Sequence, residues 1–293
     1  LGRVSRRAQA GESDVQLLQV AYVAAEDNSG VPPFDLGGSD HHLSRVLLNH
    51  RKKRMKRAGK CFLAVVSDLQ ALLDKPDEAY GRHRAWVASG FQDPANSLFP
   101  AKPIESKKKL VDEALRILLL QLHTHASSIA VAAPARNAKP YLDPSTRGGR
   151  HEKQFAAEKK AMDCVWKLHD SLLEYSNMLL EHMDKLTNDL EERCHRILAS
   201  YFQTVIPAAH AVKSVPSLLL QEATLRRCLL VFNTVVVAGR KIVRTQWFPT
   251  VLIDEACQVV EAETLIPCRS DVRRLVLVGD PKQLPAVVKS KLA

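Results

Sequence analysis

The sequence predicts an α/β domain with a doubly wound parallel sheet, joined to a largely helical N-terminal segment. Two short apolar runs, Val251–Ile253 and Leu275–Val278, have the unbroken aliphatic character of strands that are buried on both faces of a parallel sheet. Each run ends in an acidic turn, Asp254-Glu255 and Gly279-Asp280. Because helical sequence lies between the apolar runs, parallel crossovers are expected rather than hairpins.

The first hundred residues give fewer signals. Residues 1–40 are polar and predict a poorly ordered leader with one possible short helix, and His41-His42 lacks the further ligands of a metal site. Residues 41–75 predict a helix that carries the basic run Arg51–Arg57. This run is typical of a nuclear localisation signal or a nucleic-acid patch, and equally of a solvated helix face. Four prolines predict that residues 76–105 form a loop or linker.

The middle of the chain predicts helices around one strand. Apolar residues at helical spacing predict a helix over Lys107–Leu122, and Ile129–Ala133 predicts a buried strand that Pro134 closes. Glu152 to about Tyr201 predicts one long helix, ended by prolines at 207 and 216. Its apolar residues alternate three and four apart, as in a heptad seam: Val165, Leu168, Leu172, Tyr175, Leu179, Met183, Leu186, Leu190, Cys194, Ile197 and Tyr201. The seam favours an antiparallel hairpin packed on itself or on the core over a dimeric coiled coil. It also offers a surface for protein partners over residues 165–201.

A further apolar run, Cys228–Phe232, predicts the strand ahead of the two acidic turns, and it leads into Asn233–Arg240. We expect residues 1–103 to form a separate N-terminal segment of unknown role. Residues 104–293 then form the α/β domain, with a helical insertion at about 152–206.

Composition limits the class of protein. The 293 residues carry a net charge of +10 with a pI of about 9.4, which suits a polyanion-binding protein. Six scattered cysteines, with no CxxC pair, argue against a zinc site and a disulfide framework, and favour a reducing intracellular location, nuclear or cytoplasmic. No apolar run reaches transmembrane length, and no signal peptide is visible. The start at Leu1 suggests a fragment or an incomplete gene model.

The pair Asp254-Glu255 is the strongest candidate for chemistry. Carboxylates at the C-terminal end of a buried strand lie where open α/β sheets bind ligands. In phosphate hydrolysis an Asp at this place holds Mg²⁺ through water, and a neighbouring Glu orients or deprotonates the attacking water. The alternative is a helix N-terminus, because acidic residues also suit the first turn of a helix over Val259–Leu265.

The sequence DEACQ at 254–258, followed by GDPKQLPA at 279–286, resembles motifs II and III of superfamily 1 helicases. It is most similar to the branch that contains the regulator-of-nonsense-transcripts helicase and senataxin. The resemblance covers about residues 104–293 and is strongest from residue 228. It implies a RecA-like P-loop NTPase fold, Mg²⁺ and ATP as cofactors, and movement along single-stranded RNA or DNA.

The resemblance also implies roles for single residues near the nucleotide. Asp254 would hold Mg²⁺, Glu255 would activate water, and Gln258 completes the DEAxQ form of this branch. In motif III, Gly279 lets the backbone turn tightly beneath a phosphate, followed by Asp280, and Gln283 would sense the γ-phosphate by hydrogen bonding.

Two further segments resemble nucleic-acid-binding motifs of the family. Thr234 and Arg240 match the segment ahead of motif II, where hydroxyl and backbone N–H groups contact phosphates. Arg136 and Asn137 follow a run that resembles motif Ia, although the usual Ala-Pro-Ser-Asn ending reads Ala-Pro-Ala-Arg-Asn here.

The phosphate loop of this family is missing from the sequence. No GxxxxGK[ST] string occurs in the 293 residues. Lys107 or Lys108 would occupy the place of its lysine, beside an unfavourable Glu105. The second RecA-like domain, with its arginine finger, would follow motif III and is also missing. We therefore expect a partial helicase domain that is inactive alone, or alternatively a non-catalytic remnant that binds nucleic acid or protein.

Overall fold

The structure, a computed structural model, describes residues 20–23, 48–88, 98, 100, 102–141, 149–188, 192–269 and 272–282. The chain divides into two compact units. The α/β unit comprises residues 1–50, 137–158 and 218–293, and the helical unit comprises residues 51–136 and 159–217.

The helices and strands follow one another along the chain with no regular alternation. In chain order they are β1 (Val20–Val23), α1 (Leu48–Asp74), α2 (Pro76–Ala88), α3 (Lys107–Ala132), α4 (Gly149–Asn188), α5 (Glu192–Ser214), α6 (Ser217–Leu225), β2 (Leu230–Asn233), α7 (Val235–Ala238), α8 (Lys241–Arg244), β3 (Thr250–Ile253), a 3-10 turn (Ala256–Gln258), α9 (Glu261–Thr264) and β4 (Arg274–Leu277).

The core of the helical unit is built from α1, α3, α4 and α5. Phe62 of α1 and Tyr175 of α4 are buried and meet edge to face, with ring centroids 6.4 Å apart. Gly59 of α1 lets the backbone of α5 approach closely, because a Cβ there would lie 3.0 Å from the carbonyl oxygen of Ala209. A 2.8 Å hydrogen bond between Ser176 and His123 joins α4 to α3. The buried apolar faces of these helices are what hold the unit together.

The α/β unit contains two parallel strand pairs. β1 pairs with β2, from Val20 opposite Leu230 to Val23 opposite Asn233. β3 pairs with β4, from Thr250 opposite Arg274 to Ile253 opposite Leu277. A small core of Leu48, Leu225, Cys228, Val237 and Val243 packs beside β2. The predicted strands at 228–232, 251–253 and 275–278 are therefore confirmed within two residues, and their pairing is parallel.

The predicted burial of these strands is wrong for the last two. Ile253 is 4% exposed, but Leu252 is 62% exposed and all four residues of β4 are exposed. Each sheet has two strands in the part of the chain that the structure describes, so no layer covers the outer face of β4. Aliphatic character identified the strands, but it did not establish the neighbours that would bury them.

The predicted strand Ile129–Ala133 is wrong, because these residues continue α3, which runs to Ala132. Ile129 and Ala132 lie in the buried face that begins at Leu110. The three alanines of this run favour helix, and the preceding 22 helical residues let it extend without a new nucleus. The Ala133 N–H still donates to the Ile129 carbonyl, and the helix ends just before Pro134.

The linker predicted over 76–105 is partly wrong, because Pro76–Ala88 form α2. Pro76 is the first residue of this helix, where the missing N–H costs nothing. Asp77 and Glu78 in the first turn favour the helix through its dipole. The helix predicted over 41–75 is confirmed at Leu48–Asp74.

The single long helix predicted from Glu152 is two helices, α4 and α5. Pro207 does not end the second, because it lies inside α5, which continues to Ser214. The seam residues Val165, Leu168, Leu172, Tyr175 and Leu179 are fully buried within the helical unit. This burial fits the predicted hairpin packed on the core, and it leaves these five residues no surface for a protein partner. The side chains at seam positions 186–201 lie outside the described residues.

Three smaller findings complete the comparison. In the described part of the chain, no helix is both long enough and apolar enough to cross a bilayer. Five cysteines have described side chains and all are free thiols: Cys61, Cys164, Cys228, Cys257 and Cys268. The predicted leader helix, the His41-His42 pair and Gln283 lie outside the described residues.

Candidate active site at the ends of β3 and β4

Asp254 and Glu255 form a tight turn directly after β3. The Glu255 N–H donates to Asp254 Oδ1 at 3.0 Å. Glu255 has φ 55° and ψ 39°, a left-handed conformation that no other non-glycine residue adopts in the part of the chain that the structure describes. Such a conformation costs an L-residue roughly 1–2 kcal/mol. A strained residue at a strand end is typical of functional sites.

The turn is held against the end of β4 by backbone hydrogen bonds. The Ala256 N–H donates to the Val278 carbonyl at 2.8 Å, and the Val278 N–H donates to the Ile253 carbonyl at 2.9 Å. These bonds continue the β3–β4 ladder one step past the strands. The residues of motif II and motif III therefore lie side by side at the C-terminal ends of the two strands.

Gly279 is required by this contact. A Cβ at position 279 would lie 2.9 Å from the Cys257 nitrogen, closer than real Cβ atoms approach other atoms, and 3.1 Å from the Ala256 nitrogen. Any larger residue would push the two turns apart. Next to it, Asp280 Oδ1 accepts the Lys282 N–H at 2.9 Å, which closes the turn after β4.

Gln258 orients the Glu255 side chain. Its Nε2 donates to Glu255 Oε2 at 3.1 Å, and its backbone N–H donates to the Glu255 carbonyl at 2.9 Å. Both side chains are exposed. The structure thus brings Asp254, Glu255, Gln258, Gly279 and Asp280 to the C-terminal ends of two paired parallel strands.

The donor set fits a magnesium ion that keeps most of its water. Among the described residues no group of three or more His, Cys, Asp or Glu side chains could enclose a metal. Asp254 is exposed, and Glu255 N–H occupies only one of its oxygens. Mg²⁺ in ATPase sites is commonly bound by one or two carboxylates together with water and phosphates, so one outward carboxylate is sufficient.

Thr234 directly follows β2 and Arg240 follows α7, in the same unit. Thr234 caps α7, since its hydroxyl accepts the Val237 N–H at 3.4 Å. Arg240 precedes α8 and is exposed, without a side-chain capping bond. Between them, Gly239 approaches the segment after motif II, because a Cβ there would lie 3.0 Å from Ile266 Cγ2. Thr234 and Arg240 thus flank α7, whose C-terminal Gly239 lies against Ile266 in the segment after α9.

Lys107 and Lys108 belong to the helical unit, at the first turn of α3. Ser106 caps this helix by accepting the Lys109 N–H. Lys107 forms an ion pair with Asp77, and Lys109 forms one with Glu105. The hydrogen bond and positive charge of Lys109 lower the pKa of Glu105. This is an ordinary capped helix start, and the phosphate-binding role of the two lysines stays a prediction.

Arg136 and Asn137 are exposed in the turn after α3. Arg136 lies in the helical unit, 5.1 Å from the centre of the Trp166 ring, and its guanidinium pairs with Asp170. Asn137 begins the next segment of the α/β unit. Because the preceding residues are helical, the strand of the motif Ia prediction is wrong, while the nucleic-acid contact stays a prediction.

Two features near β2 were missed from the sequence. β1 is the parallel neighbour of β2, although its signal was only a short apolar stretch inside a polar leader. Glu158 is completely buried, and Arg226 Nε, just ahead of β2, donates to both of its carboxylate oxygens at 3.2 Å. Nothing in the sequence pairs these two residues, which are 68 positions apart.

The segment that contains β2, β3 and β4 is similar to known helicases. A family model described as an AAA domain matches residues 217–291. Helicase sen1 of Schizosaccharomyces pombe is 44% identical over 75 residues, which are 25% of this chain and 4% of that protein. Regulator of nonsense transcripts 1 of Dictyostelium discoideum is 37% identical over 73 residues, 25% of this chain and 6% of that protein.

ATP-dependent helicase upf1 of Schizosaccharomyces pombe is 39% identical over 71 residues, 24% of this chain and 8% of that protein. The chain thus spans less than a tenth of the length of these relatives. The matched residues contain β2, β3, β4 and both acidic turns, and their parallel pairing is consistent with a RecA-like fold. Over this quarter of its length, the chain is similar to superfamily 1 helicases of the Sen1 and regulator-of-nonsense-transcripts branch.

Proposed function

We propose that the α/β unit carries part of the ATP-hydrolysis site of an ATP-dependent helicase that acts on single-stranded RNA or DNA. This part lies at the C-terminal ends of β3 and β4. The observation that supports this best is the β3–β4 pairing, which places Asp254, Glu255 and Asp280 at one strand edge with Gly279 against the motif II backbone. Open parallel sheets bind their ligands at this edge. Residues 104–293 would contain the helicase motifs, with the helical insertion at about 152–206.

Each residue of the edge has a distinct role in this proposal. Asp254 holds Mg²⁺, which when bound neutralises phosphate charge. Glu255 accepts a proton from the attacking water, and the Gln258 amide fixes the carboxylate that does so. Gln283, four residues beyond Gly279, senses the γ-phosphate.

Nucleic acid would lie along the end of β2. Thr234 and Arg240 supply a hydroxyl and a guanidinium for phosphate. Arg136 and Asn137, in the turn after α3, are proposed as a separate phosphate contact. The proposed location is intracellular, in the nucleus or the cytoplasm.

The second candidate function is a non-catalytic helicase module that binds nucleic acid or protein. It is favoured by the absence of a GxxxxGK[ST] string and by Lys107, whose ammonium is already paired with Asp77. Without a glycine-rich cradle, each lost charge-assisted hydrogen bond to phosphate would cost about 1.5–3 kcal/mol of binding.

Titration of the chain with a fluorescent ATP analogue and Mg²⁺ separates the two candidates. The helicase proposal expects saturable binding that Asp254→Ala abolishes and Glu255→Gln retains. In an intact relative, the change that corresponds to Glu255→Gln would abolish hydrolysis and spare binding. Glu261→Ala is the matched control, because Glu261 is an exposed carboxylate of the same unit outside the edge. Binding that is absent in a folded chain, or that all three variants share, would favour the non-catalytic module.

A further inference from the structure

Helix α1 has one continuous basic face. Seven basic residues occur between Arg51 and Lys60, and the chain has no acidic residue from Leu48 to Ser67. At about 100° per residue, five of the seven fall in an arc of roughly 140°: Lys52, Lys53, Lys56, Arg57 and Lys60. We call these five residues the basic face.

The opposite side of α1 is its buried side, which fixes the direction of the basic face. Met55, Ala58 and Phe62 are at most 1% exposed. Arg51 is also buried, and its Nε donates to the Ala132 carbonyl at 2.8 Å, so it is not part of the basic face. Lys53, Arg57 and Lys60 are exposed. Because the core holds one side of the helix, these three cations cannot turn inward without unpacking it.

Lys53, Arg57 and Lys60 differ from many other charged residues of the helical unit, which form ion pairs. Ion pairs in that unit join Lys75 to Glu78, Lys102 to Glu113, Lys109 to Glu105 and Arg116 to Asp112. None of the ion pairs among the described residues involves Lys53, Arg57 or Lys60. An ordinary solvated helix face intersperses both signs, and this one does not.

The closely spaced positive charges of the basic face help to lower the pKa of neighbouring basic groups. Like charges three or four residues apart on a helix repel each other. Burial lowers the pKa of Lys56, and the charges of Lys60 and Lys52 lower it further. The positive field reaches α3, where burial lowers the pKa of His125 and Arg57 adds to the effect. A polyanion lying along α1 would relieve this repulsion.

We propose that the basic face of α1 is a nucleic-acid-binding surface that contacts the phosphate backbone through Lys53, Arg57 and Lys60. These residues lie at i, i+4 and i+7, so they place three cations along about 10 Å of one helix face. The choice of nucleic acid as ligand rests on the function proposed above. The surface itself would add a second contact in the helical unit, independent of nucleotide and without base specificity.

The test is fluorescence anisotropy of the full chain with a labelled 12-nucleotide oligo-U, in the absence of nucleotide. The triple variant Lys53→Glu, Arg57→Glu, Lys60→Glu should weaken binding about 30-fold or more at about 50 mM salt. Each lost phosphate contact removes about 0.7 from the slope of log K against log salt, so the slope should become shallower by about 2.

The matched control is Lys159→Glu, Lys160→Glu, Lys167→Glu, which makes the same change in net charge at exposed lysines of α4 in the same unit. It should weaken binding less than about 3-fold and leave the slope within about 0.5. Circular dichroism checks that both triple variants keep their helicity. If the glutamates unfold α1, the Gln variants at positions 53, 57 and 60 take their place.

Equal losses in the two triple variants would overturn the proposal, because net charge rather than this face would then attract the oligonucleotide. Unchanged binding in the basic-face variant would overturn it too. Competition by poly-glutamate as strong as by unlabelled oligo-U would assign the face to an acidic protein instead. Asp254→Ala should leave this binding intact, so the surface can be confirmed or rejected whether or not the chain binds ATP.

Discussion

The Glu158 carboxylate has no exposed surface, and two arginines that follow α6 stabilise its negative charge. Arg226 Nε donates to both carboxylate oxygens at 3.2 Å, and Arg227 Nη1 lies 3.8 Å away. Burial raises the pKa of Glu158, and the two guanidinium groups oppose that rise. Arg226 also lies over the Phe155 ring, 5.2 Å from its centre. The cluster therefore holds the start of α4 against the residues that lead into β2.

We expect Glu158→Ala to lower the free energy of unfolding by about 3–5 kcal/mol, because it leaves two nearly buried arginines without their carboxylate. Urea denaturation followed by circular dichroism measures the change. Glu152→Ala on the same helix is the control, since Glu152 is exposed and should contribute less than about 1 kcal/mol. Similar losses in the two variants would mean that the cluster does not brace this unit.

The positions of single residues were predicted correctly where neighbouring strand ends bring them together. Asp254, Glu255, Gln258, Gly279 and Asp280 were predicted as one site, and the structure brings them together. The motif strings are contiguous and each follows its own strand, so strand pairing alone assembles them. Glu158 could not be predicted, because its partners come from a distant helix end and a buried carboxylate has no signature in the sequence.

Among the helices, α5 contains Pro207, which was predicted from the sequence to end the helix. Pro207 is exposed and α5 continues for seven residues beyond it, to Ser214. A proline inside a helix removes one backbone hydrogen bond and disfavours the preceding turn. The buried residues Val205, Ala209 and Val212 keep the helix in place through their packing.

Pro207→Ala should raise the free energy of unfolding by about 1–3 kcal/mol, because alanine restores the N–H and the helical propensity. Pro76→Ala at the first position of α2 is the control, and it should change stability by less than about 0.5 kcal/mol because no intrahelical bond is available there. Chemical denaturation of the two variants in parallel gives the comparison. A destabilised Pro207→Ala would show that α5 needs the proline for its packing.

Elements were predicted best where pattern and context agreed. The helix within 41–75 and the strands after Cys228 were found, since their apolar spacing matches the structure they adopt. Ile129–Ala133 was not, because a five-residue apolar run fits a strand and a helix end equally well. The helix that begins at Lys107 continues through this run to Ala132. The five residues alone do not indicate that a helix precedes them.

At the scale of the whole chain, the net charge of +10 is unevenly distributed, with seven basic residues concentrated between Arg51 and Lys60. The division into two units was not predictable, because each is assembled from separate stretches of sequence. Residues 137–158 return to the α/β unit between two stretches of the helical unit. Packing between distant segments determines this arrangement. It cannot be predicted from the composition of the chain or from the periodicity of its apolar residues.

Salt should stabilise this protein. We expect the melting temperature to rise by about 2 °C when NaCl is raised from about 20 to about 200 mM, because the shorter Debye length screens repulsion along α1. Circular dichroism melts record the shift, and neutralising Lys53, Arg57 and Lys60 to Gln should flatten it. A melting temperature that falls with salt would mean that the ion pairs outweigh the repulsion.

Arg51 has a consequence for how the basic run can be probed. It is the first residue of the run, yet its guanidinium satisfies the last carbonyl of α3, 81 positions away in sequence. Removing residues 51–57 as a block would therefore delete both a hydrogen bond and the core side chain of Met55. A phenotype from such a deletion would report collapse of the helical unit as readily as loss of a charged surface. Only substitutions on the outward side of the helix separate the two.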